Sequence, residues 1–173
     1  MKKQYVILGA IISLLFTGIT TIQAQPKTTI LLGDFDGDKL ADLARFSSGS
    51  WSFSKGKGDG TFGESHSMTW SSTPSTVPFI GDFDGDGNCD IGVYNPNGKY
   101  YWHIRYSSGS GIFNKDIPFS PEGETSWPWP TSNPTAQIFT GDFNGDGMWD
   151  VGQYNPNGLN NWYIAKSIHK GFF

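Results

Sequence analysis

Oxygen-bearing side chains recur at alternate positions in three short segments of this chain. The segments read GDFDGDKLAD from Gly33, GDFDGDGNCD from Gly81 and GDFNGDGMWD from Gly141. Counted from the first Asp, positions 1, 3, 5 and 9 are Asp34, Asp36, Asp38 and Asp42 in the first segment. They are Asp82, Asp84, Asp86 and Asp90 in the second, and Asp142, Asn144, Asp146 and Asp150 in the third. Carboxylates this close repel one another along an extended chain. A Gly-rich turn that wraps them around a hard cation converts the repulsion into attraction. Ca²⁺ takes about six to eight oxygen ligands in flexible geometry, whereas Mg²⁺ demands a tighter octahedron and keeps its waters. The pattern therefore predicts about three Ca²⁺ sites. Position 7 is Leu40, Asn88 or Met148. Its chemistry varies, as expected of a residue that offers only its backbone carbonyl.

Other readings of these segments are weaker. A single acidic, Gly-rich segment is often a plain solvated turn, but three in phase argue against that. An EF-hand closes with a bidentate Glu at position 12 between two helices. Position 12 here is Arg45, Val93 or Gln153, and the flanks ADLARF, DIGVYN and DVGQYN are short and β-leaning. The Gly-rich nonapeptide of calcium-binding β-helices is absent.

The elements that must hold these loops repeat with them. Asn95-Pro96-Asn97-Gly98 returns as Asn155-Pro156-Asn157-Gly158, and Ser47-Ser48-Gly49 stands at that place in the first repeat. These are turn sequences. An aromatic anchor follows each turn: Trp51, Trp102 and Trp162. A Phe lies eleven residues further on in every case, at Phe62, Phe113 and Phe173, each two residues after a Gly. Each unit thus reads strand, acidic loop, strand, turn, Trp-bearing strand, Gly turn, Phe-bearing strand. The three Trp residues are expected in the core, as are Phe35, Phe83 and Phe143 between ligands 1 and 3. The loops are 48 residues apart from Asp34 to Asp82 and 60 apart from Asp82 to Asp142. The extra length falls in a Pro/Ser/Thr-rich stretch, 120–134, containing Trp127 and Trp129. Pro lacks a ladder donor, so this stretch is expected to be a loop. Four strands at this period predict an all-β chain of β-propeller-type antiparallel blades, about three repeats, forming a partial propeller.

The loops, their position-9 Asp residues and the Trp and Phe that follow resemble the FG-GAP/VCBS repeat family, whose calcium-binding blades also build the integrin α-subunit propeller. The resemblance runs from about Thr28 to Phe173. It implies propeller blades with calcium on the oxygen-bearing residues named above, and says little about activity. An integrin-type Gly-Ala-Pro element is not evident.

The chain has 173 residues and a formal charge of −4. Met1-Lys2-Lys3 and the apolar run from Tyr5 to Ile19 predict a secretory signal peptide, 1–24, ending at Ala24. The alternative is a membrane anchor, for which the run is short. Cleavage removes Lys2 and Lys3 and takes the charge from −4 to −6. The expected units are then 25–78, 79–138 and 139–173. Cys89 is the only cysteine, so no internal disulfide staples the exported chain and metal is left to do so. The style of the leader is bacterial, and the expected location is extracellular or periplasmic. No basic stripe is present, which argues against nucleic acid as a partner.

Propellers close with about four to eight blades. A chain of about three therefore implies a truncated gene, a compact variant, or closure by self-association. Strand Thr28–Leu32 could also complete the last blade. No catalytic constellation stands out: Glu64, Glu122 and Glu124 recur in no pattern, and His66, His103 and His169 lack zinc-ligand spacing. The expected function is a secreted, calcium-stabilised, non-catalytic module that binds carbohydrate or a surface protein. Trp127 and Trp129 are candidate stacking platforms for such a ligand. The alternative is an accessory domain of a secreted polysaccharide-acting hydrolase.

Overall fold

A computed structural model describes residues 27–69, 76–96, 102–109, 115–117, 135–156 and 161–167. The expected signal peptide, the 120–134 insertion with Trp127 and Trp129, Phe113 and Phe173 lie outside the described residues.

The described residues form three antiparallel sheets and no helix. Blade 1 is β1 (Thr28–Gly33), β2 (Asp42–Ser47), β3 (Ser50–Gly56) and β4 (Phe62–Thr69), paired in that order. Blade 2 is β5 (Val77–Gly81), β6 (Asp90–Tyr94), β7 (Trp102–Tyr106) and β8 (Lys115–Ile117), again in order. Blade 3 contributes β9 (Gln137–Gly141), β10 (Asp150–Asn155) and β11 (Asn161–Ala165). Each acidic loop joins the first and second strands of its blade. The register is the same in all three: Gly33 faces Asp42, Gly81 faces Asp90 and Gly141 faces Asp150.

Local chemistry explains the connections. Ser48 and Gly49 have φ of 50° and 84°, as a tight hairpin between Ser47 and Ser50 requires. In the loops, position 4 is a positive-φ Gly in every repeat, and position 6 is Gly87 or Gly147 at φ 89°. Lys39 holds position 6 in the first loop at φ 68°, a region costly for a residue with a Cβ.

β1 corrects one expectation. It pairs with β2 from Thr28↔Ser47 to Gly33↔Asp42, so it opens blade 1 and does not complete the last blade. The six-residue ladder makes β1 the first strand of that sheet.

Side chains alternate across each sheet, giving a forward face toward the next blade and a rear face toward the preceding one. Phe35, Ala44, Phe46 and Trp51 on the forward face of blade 1 share a buried cluster with Ile91 and Val93 on the rear of blade 2. Phe79, Phe83, Tyr94, Trp102, Ile104 and Tyr106 on the forward face of blade 2 share one with Val151 of blade 3. Among the described residues the core is therefore two inter-blade layers. Gly92 belongs to this design: a Cβ there would stand 2.1 Å from the Phe79 ring that crosses it.

Trp162 and Phe143 depart from the core expectation. Trp162 is 64% exposed and Phe143 49% exposed, against 8% for Trp102 and 0% for Phe83. Both lie on the forward face of blade 3, which no further described sheet covers. Repetition in sequence marks which face a residue occupies, and burial needs the neighbour as well.

Candidate metal loops and blade junctions

The three loops fold alike because each carboxylate first organises its own backbone. Position 1 gathers the turn: Gly37 and Lys39 N–H donate to Asp34. Gly85, Asp86 and Gly87 do so to Asp82, and Gly145, Asp146 and Gly147 to Asp142. The position-3 and position-5 oxygens each accept the N–H two residues on, as at Asp36, Asp38, Asp84, Asp86, Asn144 and Asp146. These are Asx turns, in which the side chain closes its own backbone. Asp34, Asp36 and Asp42 can bring one oxygen each within 4.8 Å of one another, and so can Asp82, Asp84 and Asp86. The donor sets are all oxygen, which fits a hard cation such as Ca²⁺. The third loop carries Asn144 at position 3, whose Nδ2 donates to Asp146.

Position 9 has a second task that sequence reasoning did not assign to it. Asp42, Asp90 and Asp150 are all buried. One oxygen of each accepts the N–H of the position-2 Phe: Phe35, Phe83 or Phe143. The other accepts an N–H at the end of the third strand: Gly56, Ser107 or Ser167. The carboxylate thus braces loop to strand within the blade. Burial pushes the Asp90 carboxyl up to about 8, against the lowering effect of its two N–H donors.

The first two loops differ electrostatically. Lys55 places its amino group on Asp36 and on Asp38, the latter at 3.0 Å. Asp38 is held below the usual carboxylate range by the Leu40 N–H and by Lys55. In the second loop Tyr106 stands where Lys55 stands in the first, and no ion pair is present there among the described residues. Burial, and repulsion from Asp86, raise Asp82 and Asp84. The second loop is the one whose converged carboxylates lack a built-in counter-charge.

The position-7 side chains are also engaged. A Cβ on Gly37 would meet Asn88 at 2.6 Å, and one on Gly85 would meet Met148 at 3.0 Å. Asn88 and Met148 each lean on the loop of the preceding blade, whereas Leu40 lies 3.5 Å from a hypothetical Cβ at Gly58 of its own blade.

The Gly-Asp-Phe start of the first and second loops also joins the blades. Cys89 N–H donates to the Asp34 carbonyl at 2.6 Å, and Trp149 N–H to the Asp82 carbonyl at 2.7 Å. Ser107 Oγ donates to the Phe35 carbonyl and Ser167 Oγ to the Phe83 carbonyl. The absent side chains of Gly33 and Gly81 leave notches filled by Cys89 and Trp149, 2.6 and 2.9 Å from a hypothetical Cβ. Packing there pushes the Cys89 thiol up to about 12, chiefly through burial. The available signal was the repetition of Gly and Phe beside Asp, since neither has a side chain that ligates.

Comparison with known proteins agrees with this architecture. The pattern of the FG-GAP-like repeat matches residues 34–93 and again 82–152. No curated protein matches the chain. Among solved structures, one described as the structural basis of specific recognition of non-reducing terminal N-acetylglucosamine by an Agrocybe aegerita lectin superposes with a TM-score of 0.65 at 23% identity. The match covers 86% of this chain and 37% of the lectin chain. TcdB2-TccC3 without its hypervariable C-terminal region gives 0.62 at 19% identity, covering 86% of this chain and 7% of that one. TcdB2-TccC3-Cdc42 gives 0.59 at 20%, covering 81% and 6%. At these identities the likeness establishes the β-propeller type of fold. The chain spans about a third of the lectin and under a tenth of the other two.

Proposed function

The chain belongs to the FG-GAP-like repeat family, and from that premise we propose that it is an exported, calcium-stabilised, non-catalytic module that binds carbohydrate or a surface protein. The observation that carries the calcium reading is the convergence of three carboxylates in each of the first two loops. The carboxylates converge on a turn already shaped by their own Asx bonds, and in the second loop no ion pair among the described residues competes with a cation. Asp34 and Asp82 also join one blade to the next through their carbonyls, which makes the ion a stabiliser of the blade stack. With free calcium about ten-fold above Kd, each site contributes about 1.4 kcal/mol by linkage. Three sites then supply a large share of the about 5–15 kcal/mol that holds a domain together.

The binding role draws on the family and on the lectin neighbour, whose described target is terminal N-acetylglucosamine. Acidic residues in the chain are concentrated in the loops, where they are engaged in backbone bonds and blade bracing, which favours binding over catalysis. Trp127 and Trp129 remain the candidate stacking residues, in the insertion outside the described residues.

The test has two arms. Titration calorimetry on chelator-stripped protein is expected to show about three Ca²⁺ per chain, with calcium preferred over magnesium; a stoichiometry near zero overturns the metal reading. Immobilised glycans, including terminal N-acetylglucosamine, are expected to retain the calcium-loaded protein without product release. Turnover would instead make it an enzyme.

A further inference from the structure

The two ends of the blade stack are chemically unlike its middle. Among the described residues, Ile30 and Leu32 on the rear of blade 1 are 53% and 58% exposed. Phe143, Trp162 and Ile164 are exposed on the forward face of blade 3. By repeat register, Leu32 stands where Ile80 stands in blade 2, and Ile80 packs against the cluster containing Phe35. Phe143 is the blade 3 counterpart of Phe35. Ile30 is the counterpart of Ile138, which packs against the forward cluster of blade 2. The bare groups on the two end faces are thus the two sides of the same junction that is made twice inside the chain.

Arg45 adds a specific contact. It occupies the position of Val93 and Gln153, both buried against the preceding blade. Val93 shares its cluster with Phe46 and Trp51; the blade 3 counterparts of that pair are Tyr154 and Trp162, stacked at 4.3 Å. A guanidinium seated at this position would lie over an aromatic pair, where a cation is attracted to the ring faces. Arg45 is exposed and forms no ion pair among the described residues.

We infer that the rear face of blade 1 docks on the forward face of blade 3 of a second copy of this chain, and that the reciprocal contact closes a two-copy ring. The junction sets Leu32 on Phe143 and Arg45 on Tyr154 and Trp162. The interface is heterologous in type, and a ring results when the rotation closes. Six blades lie within the range that closes a propeller. The junction is weaker than the internal ones. Gly56 replaces the Ser that reaches the Phe carbonyl, and a Cβ there would strike the Ala41 carbonyl at 2.4 Å. Ala41 also replaces the notch-filling Cys89 and Trp149. A reversible, concentration-dependent pair follows.

Sedimentation equilibrium of the purified chain in calcium tests this. The mass is expected to move from one copy to two across a dilution series. Arg45→Glu and Trp162→Ser are each expected to weaken the pair about ten-fold or more, as for a desolvated cation–π contact. Each variant keeps one of the two faces intact. An equimolar mixture is therefore expected to associate more tightly than either variant alone, because one sound junction can form. Leu32→Ser and Phe143→Ser form a second pair read the same way, and unchanged melting in dilute solution shows that each variant folds. A parent chain that stays at monomer mass throughout overturns the inference. So does growth beyond two copies, or loss with Trp162→Ser and none with Arg45→Glu, which would mean that two forward faces meet.

Discussion

Blade 2 and blade 3 carry the same aromatic set in the same arrangement, and only blade 2 keeps it dry. Phe79 meets Phe83 edge-on at 5.7 Å and Trp102 at 5.7 Å, with Tyr94 on Trp102 at 4.4 Å. Phe139 meets Phe143 at 5.6 Å and Trp162 at 5.7 Å, with Tyr154 on Trp162 at 4.3 Å. The geometry within a blade is therefore set by that blade's own strands and loop. Its energetic value is set by whether another blade's rear face removes it from water, because hydrophobic stabilisation scales with apolar area buried.

The largest effect should separate the two Trp residues. Trp102→Ala is expected to cost about 3–5 kcal/mol, as for a buried aromatic. Trp162→Ala, in dilute solution, should stay within about 0.5 kcal/mol, as for an exposed position. Denaturant midpoints give both numbers, and equal losses would break the comparison. Next comes the brace. Asp90→Ala leaves the Phe83 and Ser107 N–H groups without their acceptor and should cost about 2–3 kcal/mol, in chelator as well as in calcium. Asp86→Ala, by contrast, removes only exposed turn bonds from Asn88 and should lose stability mostly in calcium and little in chelator. An Asp90 effect that vanishes in chelator would make position 9 a ligand and nothing more.

Smaller effects probe the junctions. Ser107→Ala and Ser167→Ala each remove one inter-blade hydrogen bond and should cost about 1 kcal/mol apiece. Thermal melts of the two variants should be alike, because both junctions are internal; a silent Ser167→Ala would mean that blade 3 is held chiefly by its apolar contacts. The smallest effect concerns the loops. Lys55→Ala removes the amino group from Asp36 and Asp38 and should tighten calcium at the first loop by up to about five-fold, given the modest strength of exposed ion pairs. Calorimetry should show the second loop unchanged.

Much of this molecule is set out along the chain itself. Strand order, the place of each acidic loop and the alternation that puts Trp51, Trp102 and Trp162 on equivalent faces all follow from short-range rules. Gly tolerates positive φ, Asx side chains close their own turns, and strands alternate every residue. These depend on neighbours in sequence and repeat with it. The sequence was silent on what depends on neighbours in space. Asp90 reads as a ligand by spacing, yet its bonds to Phe83 and Ser107 tie the loop to the end of the third strand. Gly33 reads only as the opening of its acidic segment, and its notch has meaning only once Cys89 of the next blade enters it. Trp162 matches Trp102 in every local respect. Only the stacking of one sheet on another decides that one is core and the other surface, because burial is a property of the pair of faces and is encoded in neither alone.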